Sequence, residues 1–147
     1  MSVTSRAAIR YGQWRAEQEM ADWCVIDRPG GTEIDDDGRE QTTYTLIYEG
    51  PMEATSFRPH EENPDVGSGT ATLQRTYWFI PAVDRMAYLV RRGRVLAWDG
   101  PTQVGDRMRR TTPGKPVKTV RLTGEHDVTW PTAQKLGVDE ITGGVWS

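Results

Sequence analysis

From Thr43 to Tyr48 the side chains alternate. Tyr44, Leu46 and Tyr48 fall on one side of an extended chain, Thr43 and Thr45 on the other. That is the period-two order of a β-strand, and it conflicts with the 3.6-residue period of a helix. Asp35-Asp36-Asp37-Gly38 precedes this run and Gly50-Pro51 follows it, so the strand is bracketed by residues suited to turns. The same grammar recurs along the chain. Trp23, Cys24, Val25 and Ile26 are apolar on both faces, as in an interior strand, and Pro29-Gly30-Gly31 predicts its end. Met52–Phe57 reads as a further strand. Ala71–Pro81 reads as a long one, with Leu73, Tyr77 and Phe79 opposite Thr72, Thr76 and Trp78. Met86–Gly100 predicts a hairpin turning at Arg91–Arg94, or a short helix in its first half. Val117–Gly124 is another strand, and Thr129–Thr142 predicts a small helical turn closed by a strand from Gly137 to Thr142.

Only the first segment has helical character. Ser5–Ala21 places Ile9, Tyr11, Trp14 and Met20 at mixed helical spacing among charged residues. Gly12 weakens such a helix by about 1 kcal/mol relative to Ala, so it depends on packing. Fifteen glycines and nine prolines in 147 residues fit a turn-rich β protein better than a helical bundle. The expected fold is mainly β: a small barrel or sandwich of six or seven short strands with an N-terminal helix and long polar loops. The expected division is a helix over residues 1–21, a β domain over 22–142 and a C-terminal arm over 143–147.

Candidate chemistry is sparse. Counted from Glu33, the acidic run matches the first half of a calcium-binding loop, but the twelfth position, which needs a bidentate Glu, is Tyr44. Asp35, Asp36 and Asp37 are therefore expected at a hairpin tip without metal. Neither histidine, His60 or His126, lies in a nucleophile or zinc motif. No GxSxG, HExxH, phosphate loop or CxxC occurs. The single cysteine, Cys24, forms no internal disulfide and reads as a buried apolar residue. The expectation is a protein without catalytic activity or cofactors. No apolar run reaches the roughly 18–20 residues that span a bilayer, and the N-terminus lacks a signal-peptide core, so no membrane is expected.

Net charge divides unevenly. Residues 1–73 carry 6 basic and 14 acidic groups, net −8; residues 74–147 carry 12 and 7, net +5. Oppositely charged faces would favour head-to-tail association. The basic residues concentrate at Arg91–Arg94, with Arg107, Arg109, Arg110, Lys115 and Lys118. With Trp78 or Trp98 exposed, these would suit a nucleic-acid-binding barrel. Trp146, beyond two glycines, reads as an anchor for a partner's pocket.

Four stretches, taken in order, resemble a family of tailed bacteriophages, particularly those of actinobacteria: WRAEQEMADWCVIDRPGG, DDDGREQTTYTLIYEGP, LQRTYWFIP and PTAQKLGVDEIT. Trp23-Cys24 through Arg28-Pro29 match the family's first strand. Thr132, Ala133, Lys135, Leu136 and Val138 through Ile141 match its closing segment, although Pro131 stands where His is expected. The family is similar to the head-to-tail stopper, or head-closure, proteins of siphophage necks. The resemblance implies a small β-barrel, assembled as a ring of six-fold or twelve-fold symmetry between the portal–adaptor complex and the tail terminator. Its location would be the virion neck, assembled in the host cytoplasm, with packaged double-stranded DNA passing its channel. On that reading Glu61, Glu62 and Asp65, in the polar loop Arg58–Gly69, face the channel as a gate, and Asp35–Asp37 are the competing hairpin. Trp14 and Trp146 would contact neighbouring subunits or the adaptor. The rivals are a tail terminator or adaptor of the same neck, and a nucleic-acid-binding barrel.

Overall fold

A computed structural model describes residues 3–57, 75–127 and 132–140. Helix α1 (Val3–Glu19) leads into β1 (Asp22–Ile34), β2 (Glu40–Phe57) and β3 (Arg75–Pro81). A helical turn at Val83–Arg85 passes into the short helix α2 (Met86–Arg91). β4 (Ala97–Trp98), β5 (Arg107–Arg110), β6 (Lys118–Asp127) and β7 (Ala133–Glu140) follow. The strands run in the order β1-β5-β6-β7-β3-β2, and β2 pairs again with β1, which closes a six-stranded barrel. Every pairing is antiparallel, and β4 adds a seventh strand on β2. The expected mainly-β barrel with an N-terminal helix is what the chain forms. Two of its strands are long rather than short.

Long strands arise where turn residues were expected to stop them. β1 continues through Pro29-Gly30-Gly31 because the pairing slips there: Pro29 faces Tyr44 but Thr32 faces Thr42, so β1 carries one extra residue as a bulge. β2 likewise continues through Gly50-Pro51, pairing with β1 up to Met52 and with β3 from Glu53 onward. Gly50 is needed there for a packing reason. A Cβ at Gly50 would stand 2.5 Å from the Tyr48 hydroxyl and 2.8 Å from its Cζ. The ring folds back over the glycine so that its hydroxyl donates to the Pro51 carbonyl at 2.7 Å.

The core follows from a second irregularity. Ile26 faces Tyr48 but Asp27 faces Leu46, so Ile47 is the extra residue on β2, and Ile47 and Tyr48 are both buried. With Ile26, Met52, Trp78 and Ile80 they fill the barrel. The expected common face of Tyr44, Leu46 and Tyr48 therefore does not persist, since Tyr44 and Leu46 lie outside the core.

Two local expectations are settled or corrected. Of the two readings of Met86–Gly100 the short helix in its first half is the one that forms, and Arg91–Arg94 is not a hairpin turn but the end of α2: the Gly93 amide donates to the Val90 carbonyl and the Arg94 amide to that of Leu89. Gly93 has φ +75°, the left-handed geometry that closes helices, and Met86 and Leu89 bury the helix's inner side. The strand expected to start at Gly137 starts at Ala133 and pairs with β3, leaving no helical turn over 133–136.

α1 docks on its own barrel through polar residues. Gln13, Glu17 and Met20, spaced by one turn each, are its buried side. Glu17 accepts two hydrogen bonds from Arg85, at 2.8 and 2.9 Å, and Gln13 donates to the Asp84 carboxylate at 3.0 Å. Gly12 permits close approach, since a Cβ there would stand 2.7 Å from the Thr132 methyl.

Gly50→Ala is expected to lower stability by about 1–3 kcal/mol, the usual cost of overpacking a filled core. Urea denaturation would measure it, and a variant as stable as the wild type would show that the Tyr48 ring can move aside.

Candidate functional site

β1 has a barrel neighbour other than β2 only over Cys24–Asp27, where it pairs with β5. β2 meets β4 only at Tyr48–Glu49. Between these limits, from Pro29 to Leu46, the two strands pair with each other alone and form a ribbon that leaves the barrel. Its side chains are exposed except for the half-buried Asp35 and Thr43. At about 3.3 Å per residue, the ribbon reaches roughly 20 Å beyond its root.

The tip is built by the acidic run. The Gly38 amide donates to the Asp35 carbonyl at 3.0 Å, the Asp35 amide donates to that of Arg39 at 2.9 Å, and Gly38 takes φ +79°. This is a three-residue hairpin loop whose last position needs glycine. Asp35 Oδ1 accepts from the amides of Asp37 and Arg39, and its Oδ2 from the Gln41 side chain. Asp35, Asp36 and Asp37 thus lie at the hairpin turn, with the Asp35 carboxylate engaged in holding it. Among the described residues no three His, Cys, Asp or Glu side chains are grouped to hold a metal.

At the root, two ion pairs fix where the ribbon points. Arg107 donates from Nε and Nη2 to the two oxygens of Asp27, at 2.8 and 2.7 Å, and Arg109 reaches the same carboxylate at 3.3 Å. Arg28 donates to both oxygens of Asp106, at 2.8 and 3.1 Å, and to the Pro101 carbonyl. Asp106 is 1% exposed and also accepts from the Gln103 amide. Asp106 and Asp27 hold the guanidinium groups of Arg28 and Arg107 charged, raising both above the ordinary arginine value. Tyr44 of the ribbon lies over the Arg107 guanidinium, 3.6 Å from its ring centroid.

The basic residues do not form one patch. Arg107 and Arg109 serve Asp27, and Lys115 serves Asp22. Arg91, Arg92 and Arg94 at the end of α2 remain exposed, and among the described residues none is ion-paired. Arg92 lies over the Tyr88 ring. Beside them an open groove of about 690 Å³ runs between the end of α1, the start of β1 and residues 111–113. Met20, Trp23, Pro51 and Leu89 supply its apolar wall, with Arg94 among its lining.

Trp14 is 50% exposed, beside Tyr11 at a ring distance of 6.1 Å. Trp78 is fully buried and Trp98 half-buried against the core, so Trp78 offers no stacking face. Cys24 is buried, which pushes its thiol up, so it stays protonated and unreactive at neutral pH. The loop bearing Glu61, Glu62 and Asp65, together with His60 and Trp146, lies outside the described residues, as do the side-chain surroundings of His126. Sequence reasoning missed the Asp27–Arg107 and Arg28–Asp106 pairs. Their only trace is an Asp-Arg step within β1 and another at the entry to β5.

Residues 12–139 match the model of DUF6093, a family of unknown function, and the protein belongs to that family. No curated protein and no solved structure matches it.

Asp27→Ala is expected to cost about 3 kcal/mol, because it strands the Arg107 charge in a mostly buried site. Replacing Asp27 and Arg107 together by leucine should cost less. Equal losses in chemical denaturation would show that the pair acts as packing alone. A pH effect follows at Asp22, where the hydrogen bond from Lys115 holds the carboxyl below its ordinary value. A depressed carboxyl stabilises the fold above its unfolded value, and that contribution disappears as pH falls through the folded one. Asp22→Asn should therefore flatten the acid limb of a stability–pH curve. An unchanged limb would exclude the Lys115 contact as its source.

Proposed function

We propose that this DUF6093-family barrel is a structural component of a tailed-phage neck: a head-to-tail stopper ring that closes the DNA-filled capsid and joins it to the tail. The observation that carries the reading is the order of the four sequence stretches resembling that family. A closed barrel with a docked N-terminal helix and a projecting hairpin is compatible with it. In this reading the ring stands between portal–adaptor complex and tail terminator, and its work is mechanical, requiring neither cofactor nor catalysis. DNA must pass such a ring without sticking, since each cationic phosphate contact adds affinity. An acidic surface meets that need, supplied by Glu61, Glu62 and Asp65 or by Asp35, Asp36 and Asp37. The exposed pair Tyr11 and Trp14 gives α1 an aromatic outer side for a neighbouring subunit or adaptor.

An adaptor or terminator of the same neck would use the same features and differs in its place in the stack. A nucleic-acid-binding barrel is less well supported: the burial of Trp78 and the pairing of Arg107 and Arg109 remove much of the surface it would use.

The test is disruption of the gene in its phage, with complementation by a tagged copy. The expected outcome is DNA-filled heads that leak and fail to join tails, with label on complemented particles at the head–tail junction. Normal virions from the disrupted phage, or label elsewhere, would overturn the proposal. Salt-dependent binding of duplex DNA by the isolated protein would favour the nucleic-acid reading instead.

A further inference from the structure

We infer that the hairpin of one copy docks end-on into the α1–α2 groove of a second copy, with Ile34 as the apolar anchor and the acidic turn set against Arg91, Arg92 and Arg94. The inference does not rest on the neck reading, which specifies a ring and not the surfaces that build it.

The anchor comes first. Ile34 is 74% exposed, the most exposed large apolar side chain among those described, and it stands immediately before the turn. An isoleucine on the end of a projecting ribbon gains nothing for its own core, and burying it elsewhere removes that apolar surface from water. The groove, of about 690 Å³, offers apolar surface at the half-buried Trp23 and Pro51 over a floor of the buried Met20 and Leu89.

Charge then selects the occupant. Between Glu33 and Glu40 the tip carries five carboxylates (Glu33, Asp35, Asp36, Asp37 and Glu40) against the single cation Arg39, a net charge of −4. The end of α2 presents three arginines without ion-pair partners among the described residues, and Arg94 lines the groove. Three carboxylates line the groove as well. Glu17 and Asp22 are bound to Arg85 and Lys115, which leaves Glu49 alone against the three arginines. Within the groove Glu49 and Arg94 then balance, and the positive charge is that of the exposed Arg91 and Arg92 next to it at the end of α2, on the same chain as the negative tip.

Reach excludes docking within one chain. Glu40 faces Ile34 across the ribbon, and Glu49 lines the groove. Nine residues of extended β2 separate them, roughly 30 Å at about 3.3 Å per residue. The ribbon leads away from its own groove, so the complement must be another copy's. Because the two surfaces differ, the contact is heterologous and propagates head to tail, closing a ring when the rotation allows.

Charge exchange tests this with the full chain. Wild type should self-associate in sedimentation velocity, less so at high salt. Asp36→Lys with Asp37→Lys takes the tip from −4 to neutral and removes the attraction, while Arg91→Glu, Arg92→Glu and Arg94→Glu together set negative charge against a negative tip, so each protein should be monomeric. Mixed together, the two proteins should associate again, because the unaltered tip of the arginine variant meets the unaltered groove of the lysine variant. Ile34→Asp should weaken association roughly 30-fold, as loss of a buried anchor does. Circular dichroism checks that every variant is folded. A monomeric wild type, an exchanged variant that associates as well as wild type, or a mixture that stays monomeric would each overturn the inference. None of these outcomes decides the neck reading, which stands or falls on virion labelling.

Discussion

Two reciprocal ion pairs at one edge of the barrel decide how the rest of the chain is displayed. Asp27 and Arg28 are neighbours on β1, and Arg107 and Asp106 are neighbours at the start of β5. Asp27 binds Arg107, and Arg28 binds Asp106. Successive residues of a strand point to opposite faces, so the two pairs grip the strands from both sides. They do so at the last step where β1 has a barrel neighbour. An apolar pair at this position would hold the strands together but leave their direction loosely set. Two-pronged guanidinium–carboxylate bonds are directional, and they fix the angle at which the ribbon departs. The Tyr44 ring over Arg107 ties the opposite strand of the ribbon to the same clamp.

The same pairings change the meaning of the uneven charge. An acidic first half and a basic second half, read along the chain, point to two opposed faces. In the folded protein much of that charge is spent internally, because Glu17–Arg85, Asp22–Lys115 and Asp27–Arg107 each join one half to the other. A chain that closes its barrel by bringing β1 against β5 needs such complementarity to bury the join. Among the described residues, the hairpin tip and the end of α2 are two places where like charges stay clustered outside. Net charge by halves was therefore a guide to folding before it was a guide to association.

Much of the barrel was legible because strands announce themselves locally. The strand through Thr43–Tyr48, the apolar run Trp23–Ile26 and the acidic turn all lie where the sequence places them, although the extra residue Ile47 breaks the strand's alternation. Errors arose where tertiary pairing outweighs local grammar. Pro29-Gly30-Gly31 resembles a stop, but a bulge absorbs the extra residue and the strand goes on. Gly50 resembles a turn residue, but it is there to make room for the Tyr48 ring. The helix was visible and its orientation was not. The apolar residues Tyr11 and Trp14 face out while Gln13 and Glu17 face in, because Asp84 and Arg85 wait for them at a turn 68 or more residues away in sequence. No periodicity of hydrophobic residues can reveal a buried side that is polar. The same limit hid the clamp, whose members are ordinary charges until the fold brings them together.

A two-stranded ribbon standing free of its sheet is marginal by itself, and its two unpaired edges invite strand addition by any other chain. This ribbon carries defences against that. Pro29 lacks a backbone donor, the bulge beside Gly30 and Gly31 breaks the regular spacing of the edge, and charged side chains crowd the distal part. Edge-to-edge pairing is thereby disfavoured along its length. The tip differs in one respect: it is closed by the Asp35 bonds and holds Ile34 in the open among its carboxylates. A hairpin guarded along its sides and exposed at its end is shaped for insertion rather than for extending a sheet. That distinction matters for assembly, because edge pairing of ribbons has no natural limit, whereas a tip that enters one groove uses up both partners and sets a defined angle between successive copies.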